Sequence, residues 1–337
     1  MQLGGPGFDV VERARDAIAR HRMFEKGATI VVALSGGPDS TCLLDVLDRL
    51  TDMFELDLAV AHVDHGLAPN SSDVSAAVTT RAADAGHDVH FVRAPDLAGS
   101  NLQARARAFR YGFLEAIAND IGAAAIATGH TLDDRVETTL ARLIHGAGTR
   151  GLAGLLPIDG NRIRPLITTR RAEARSYCEE RGLAFVDDPS NEDDRFERVA
   201  IRKRLIAGIE ERWGRGAIDA IATSSERLVE DATTLDGLAD TLYAQLAQRD
   251  GDLVRFDRAA IDGIPRAFRR RLLERAIGRV RDRSAGIDEV LDALDKGAGS
   301  SGRFSVTTGA EIELTQEALT VPVVSDDASG PPTTLTE

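Results

Sequence analysis

Residues 30–40 read IVVALSGGPDS: an apolar, β-branched run passes straight into two glycines, a proline and two hydroxyl residues that open a helix. That order suits an anion. Gly36 and Gly37 allow a tight turn and bring backbone N–H groups against a ligand, while the helix behind them directs its positive end to the same point. Ser35 and Ser40 add hydroxyl donors, with Pro38 between them in the turn. Asp39 would repel a phosphate unless a divalent cation stood between them, which points to magnesium. The loop is no Walker A motif, because the chain has only Lys26, Lys203 and Lys296, none in the GK(S/T) context. The bland alternative is a Gly-Pro turn capped by Asp39 and Ser40.

Further along, Asp134 and Glu137 stand three apart in DDRVET and share one side of a helix; Asp133 and Asp134 could instead simply cap that helix. Arg107 and Arg110 likewise share a helical face. GAGTRG at 146–151 fits the dinucleotide pattern GxGxxG but follows a helix rather than a strand, so it reads as a flexible loop. Cys42 and Cys178 are isolated from one another and read as core fillers, leaving no ligands for structural zinc of common spacing or for an iron–sulfur cluster.

These groups need a scaffold, and the chain alternates in the way a parallel α/β sheet requires. A helix at 10–24 precedes strands at 28–34, 56–63, 88–92 and 123–128, with helices from 41 and at 71–85, 101–121 and 132–145. A doubly wound sheet of this kind places ligands at the carboxyl ends of its strands. Residues 186–198 read as a long polar surface loop after a helix at 170–182. A long helix or hairpin follows at 214–249, then an Arg-rich helix at 264–282, a shorter one at 286–296, and two or three short strands. The expected organisation is a catalytic domain at 1–205, a helical domain at 206–296, a β-rich segment at 297–324 and a disordered tail at 325–337.

With 41 basic against 54 acidic side chains, the net charge of −13 argues on average against a nucleic-acid partner. The charge is segregated, however: residues 264–283 hold eight arginines and two acids, and a polyanion responds to the field within a Debye length of ~8–10 Å. Arg269, Arg270 and Arg271 are therefore the candidate contacts to nucleic-acid phosphates, against the alternative of a solvated helix face. No apolar run approaches the ~18 residues that span a bilayer, and the opening lacks a secretory h-region, which leads to the expectation of a cytoplasmic protein without a membrane partner.

SGGxDS after the first strand resembles the signature of the PP-loop ATP pyrophosphatases. The remaining motifs, AHVDHGL (61–67), NLQARARAFRY (101–111), ATGHTLDDRVETTLARLIHGAGTRGLAG (127–154), RIRPL (162–166) and DDPSNEDDRFERVAIRKRL (187–205), resemble the tRNA(Ile)-lysidine synthetases in that order. The resemblance covers roughly residues 28–205. It implies that ATP activates the C2 oxygen of the wobble cytidine in a tRNA(Ile) with a CAU anticodon, and that the side-chain amine of free L-lysine then displaces AMP. By resemblance, ATP falls to Ser35, Gly36, Gly37, Pro38, Asp39, Ser40, His62, Arg107, Gly129 and His130, and magnesium to Asp39. Lysine, a cation, falls to the carboxylates of Asp134 and Glu137, and the catalytic set comprises Asp39, Asp134, Glu137, Arg110 and Arg202, with Arg107, Arg110 and Arg202 set against phosphate. Gln103 stands where the family usually has Glu, and Val199 where it has Asn. A thiolating PP-loop enzyme and a noncatalytic RNA-binding protein are the alternatives. The oligomeric state stays open, a homodimer included.

Overall fold

The computed structural model describes residues 7–66, 71–95, 102–187, 197–278, 286–306 and 311–323. Most of the expected loop at 186–198 and all of the expected tail at 325–337 lie outside the described residues. The chain divides into two compact units, residues 1–229 and 230–337.

The first unit opens with α1 (Phe8–His21), β1 (Thr29–Ala33), α2 (Pro38–Phe54), β2 (Asp57–Asp64), α3 (Ser71–Asp84) and β3 (Asp88–Arg93). It continues with α4 (Leu102–Asp120), β4 (Ala125–Thr128), α5 (Leu132–Ile144), α6 (Thr149–Leu152), β5 (Ile158–Asp159), β6 (Arg162–Ile163) and α7 (Arg171–Glu180). The expected alternation is present. The sheet order is β3-β2-β1-β4-β6-β5, parallel except for β5, which turns back on β6.

Both faces of β1 are apolar, as a strand covered on two sides requires. Ile30 and Val32 pack into the core formed with α1, α2 and α7, whereas Val31 joins Ala61, Ile126 and Leu114 beneath α4. Cys42 and Cys178 lie fully buried in the first of these cores. Strand order runs outward from β1 through β2 to β3 and then restarts on the other side with β4, so the topological switch lies between β1 and β4. A ligand crevice forms outside the carboxyl ends of strands at such a point.

Beyond α7 come α8 (Glu197–Ala200), a π-helical turn at Ile201–Ile206, α9 (Ala207–Trp213) and α10 (Gly216–Leu246), within which the division between units falls. The second unit adds β7 (Gln248–Asp250), β8 (Leu253–Asp257), α11 (Arg258–Asp262), α12 (Arg266–Ile277), α13 (Ile287–Asp295), β9 (Gly302–Ser305), β10 (Glu311–Leu314) and β11 (Ala318–Pro322). Its antiparallel sheet, β7-β8-β11-β10-β9, shares one core with α12 and α13. The β7–β8 hairpin is absent from the sequence expectation. Its signal is the Gly251-Asp252 turn, with Gly251 at φ +56, before the alternating Leu253–Asp257.

Candidate active site

β1 delivers the chain into the glycine turn at the switch point. Gly36 takes φ +86, and Gly37 caps α2 with Pro38 at the helix start. The loop is tied by Ser40, whose hydroxyl donates to the Gly37 carbonyl oxygen (3.1 Å) and accepts from the Ser35 N–H (3.1 Å). The Ser35 hydroxyl reaches the same Ser40 oxygen at 3.0 Å. Ser40 is thus spent on holding the turn. The first turn of α2 still leaves N–H groups without intrahelical partners.

Gly129, just past β4, approaches this loop so closely that an added β-carbon would stand 3.0 Å from the Asp39 carbonyl group and from the Ser40 nitrogen. Thr131 and Asp134 then close a capping box on α5: the Thr131 N–H (2.8 Å) and hydroxyl (2.9 Å) both donate to Asp134 Oδ2. The capping role considered for Asp134 is therefore real, and it occupies only one of the two oxygens.

The other oxygen faces a residue absent from the sequence expectation. Arg171, the first residue of α7, donates from Nη2 to Asp134 Oδ1 (2.8 Å), from Nη1 to Glu137 Oε1 (3.0 Å) and from Nε to Asp39 Oδ2 (3.3 Å). Its backbone N–H donates to Asp133 Oδ2 at 2.7 Å. The chosen carboxylates thus come together around one guanidinium. Arg202, presented by the π-helical turn, donates to both oxygens of Glu137 at 2.7 and 3.3 Å. This places Arg202 on a carboxylate rather than in the expected phosphate-facing group with Arg107 and Arg110.

Charge balance sets the protonation of the cluster. Burial raises the Asp39 carboxyl to about 6 against the pull of Arg171, and Asp134 nearby pushes the same way as burial. Burial would raise Asp134 too, but Arg171, His130 and the Thr131 donors hold it below the usual carboxylate range. Arg171 is lowered by burial and raised further by Asp134, Glu137 and Asp39, so it stays charged.

Arg107, Arg110 and Arg162 lie 5.0, 5.2 and 4.8 Å from the centroid of the Tyr111 ring, a cation–π group on α4 and β6. Arg162 joins the two arginines expected there. His130 is pushed to about 3 by burial, with Arg164, Arg110 and Arg107 adding to the effect, and is neutral at physiological pH. Its Nδ1 lies 2.9 Å from the Thr128 hydroxyl. The ring of His62, expected at the nucleotide pocket, has both nitrogens engaged: its Nδ1 bonds the Leu34 carbonyl oxygen (2.6 Å) and its Nε2 the Ser75 hydroxyl (2.9 Å). At 3% exposure, it braces the end of β1.

In the second unit, the arginines assigned to nucleic acid are already paired. Arg269 donates to Asp295 (2.5 Å), Arg270 to Asp288 (2.5 Å) and Arg271 to Asp236 (3.2 Å), and Arg269 and Arg271 are buried. The three arginines expected against nucleic-acid phosphates are thus each paired with an aspartate of their own unit. Gln103's side chain lies outside the described residues, whereas Val199 is buried, an environment that suits an apolar side chain.

A glycine turn at the switch point of a five-strand parallel core with helices on both faces defines a PP-loop nucleotide-binding protein, and the PP-loop domain family matches residues 10–209. The tRNA(Ile)-lysidine synthase of Mycolicibacterium paratuberculosis is 35% identical, covering 84% of this chain and 87% of that protein. That of Symbiobacterium thermophilum is 33% identical over 87% of this chain. The chain belongs to the tRNA(Ile)-lysidine synthase family. It spans 64% of the length of the Symbiobacterium relative. Among solved structures, the U34-tRNA thiolase NcsA from Methanococcus maripaludis with its [4Fe-4S] cluster aligns at a TM-score of 0.56 and 19% identity, over 66% of this chain and 78% of that one, a likeness of fold. Among the described residues, no helix is long and apolar enough to cross a membrane.

Proposed function

We infer that this protein ligates L-lysine to carbon 2 of the wobble cytidine of a tRNA(Ile) with a CAU anticodon, consuming ATP and releasing AMP and pyrophosphate. The observation that carries this reading is the meeting of Asp39, Asp134 and Glu137 around one cation beside the glycine turn. A cation-holding pocket next to a phosphate-holding loop is what joining an amine to an adenylated base requires.

In this reading the C2 oxygen of the cytidine attacks the α-phosphorus of ATP, and the bond to pyrophosphate breaks. The side-chain amine of lysine then attacks C2, and AMP leaves with the oxygen. The backbone of the glycine turn and the cation–π arginines, Arg107, Arg110 and Arg162, are assigned in this reading to the phosphates. In this reading Asp134 and Glu137 orient the lysine ammonium, and one of the two carboxylates accepts the proton it must shed before attack. Asp39 fits a magnesium ion: its Oδ1 is buried without a hydrogen-bond partner among the described residues, a hard oxygen with an unused site. When bound there, the metal supplies neutralisation of the departing pyrophosphate. All of these residues belong to the first unit.

The test supplies both CAU-anticodon tRNAs, isoleucine and methionine, with ATP, magnesium and labelled lysine, and analyses the nucleosides by mass. Lysidine is expected in the isoleucine tRNA alone, with one pyrophosphate per lysine incorporated. Pyrophosphate release without tRNA, or tRNA retention with no lysine uptake, overturns the reading.

A further inference from the structure

Both carboxylates assigned to the lysine ammonium are already engaged by the chain's own cations. Asp134 has one oxygen on Thr131 and the other on Arg171 at 2.8 Å, while Glu137 is shared by Arg171 at 3.0 Å and Arg202 at 2.7 Å. A lysine ammonium placed on Asp134 Oδ1 and Glu137 Oε1 would meet the Arg171 guanidinium, a like charge, within hydrogen-bonding range. Glu137 has a side chain 1% exposed, so no second approach is open from solvent.

We propose that Arg171 is an internal placeholder for the substrate ammonium, and that nucleotide binding draws it away, so that lysine enters after ATP. The inference rests on the function proposed above. Three observations carry it. The guanidinium spans the two sites, touching the phosphate-loop carboxylate of Asp39 at 3.3 Å as well as Asp134 and Glu137. That Asp39 contact is the longest of the three, and it is the one that a metal-bound triphosphate takes over while offering Arg171 a denser anion. Finally, Arg171 is anchored through its backbone N–H to Asp133 at 2.7 Å, so its side chain can change partners while the start of α7 stays in place. Arg171 is accordingly a positioning residue that sets the order of binding.

The test measures binding of labelled L-lysine by equilibrium dialysis to the wild type, Arg171→Gln and Arg171→Lys, each with and without magnesium and a non-hydrolysable ATP analogue. The wild type is expected to bind lysine at least ten-fold more tightly with nucleotide. Arg171→Gln is expected to bind it without nucleotide about as tightly as the wild type does with it, a gain that a residue serving only the fold cannot produce. Arg171→Lys keeps a charge yet cannot span three carboxylates; its nucleotide dependence is expected to be intermediate, and it decides the matter if the Gln variant does not fold. Equal wild-type affinity in the two conditions, or weaker lysine binding by the variants in both, overturns the placeholder. If the wild type makes lysidine while either of those results holds, the proposal falls and the function stands. If no lysidine forms and no protein binds lysine under any condition, both fall.

Discussion

Gly129 faces the backbone of Asp39 across a gap too tight for an ordinary side chain, so the loop after β4 and the loop after β1 form one continuous wall at the switch point. A β-carbon at Gly129 would stand 3.0 Å from the backbone of Asp39 and Ser40, and backbone at the start of a helix cannot yield as a side-chain tip can. Gly129→Ala is expected to weaken binding of an ATP analogue at least ten-fold with the fold retained, as titration calorimetry and circular dichroism would show. Unchanged nucleotide affinity would refute this wall.

Gly36 carries two separate constraints. Its φ of +86 disfavours a β-carbon, and that carbon would lie 2.5 Å from Val78 Cγ2. Gly36→Ala is expected to destabilise the protein by about 1–3 kcal/mol, of which about 1 kcal/mol belongs to the backbone conformation. Adding Val78→Ala relieves only the steric part. Denaturant unfolding of both variants separates the two, and complete rescue by the second substitution would show the backbone cost to be absent.

Asp39 makes stability depend on pH in a direction opposite to most carboxylates. Burial lifts its folded value to about 6 from 3.8, so its contribution is fully present below pH 3.8 and is lost as pH rises through about 6. At pH 7.5 without magnesium the charged carboxylate is a cost, and Asp39→Asn is expected to be more stable by about 1–3 kcal/mol. That advantage should disappear below about pH 4, where both side chains are neutral, while tRNA-dependent pyrophosphate release is abolished. Chemical denaturation across pH in the presence of a chelator checks the first part; equal stability at pH 7.5 would contradict a carboxylate held uncomfortably out of water.

Arg271 is buried against Asp236, so Arg271→Ala is expected to cost about 1–3 kcal/mol in the second unit. The combined Ala variant at Arg269, Arg270 and Arg271 should melt at a lower temperature yet leave the salt dependence of tRNA binding unaltered. If each of these arginines instead neutralised a phosphate, every removal would reduce the slope of log affinity against log salt by about one. Filter binding across a salt series distinguishes the two outcomes.

Much of the first unit was legible because its signals are local. A strand announces itself by a short β-branched run, the phosphate loop by adjacent glycines between strand and helix, and the shared side of Asp134 and Glu137 by a three-residue interval. The β7–β8 hairpin also had a local signal, Gly251-Asp252 before an alternating run, overshadowed by the long helix ahead of it. The arginines were not legible in this way. A guanidinium at the end of a long, flexible side chain is satisfied by whichever carboxylate the packed elements bring near, and sequence spacing carries no information on that.

The amino-acid order by itself therefore determined the parallel sheet, the anion-binding turn and the face on which the acids lie, since each depends on residues within one or two helical turns. Only the tertiary structure decided that Arg171 would reach Asp39 across 132 positions and Glu137 across 34, that Arg202 would serve Glu137, and that aspartates of α10 and α13 would pair with the arginines of α12. Those pairings come from elements docking on separate hydrophobic cores, and the contacts that dock them do not specify where a long charged side chain ends.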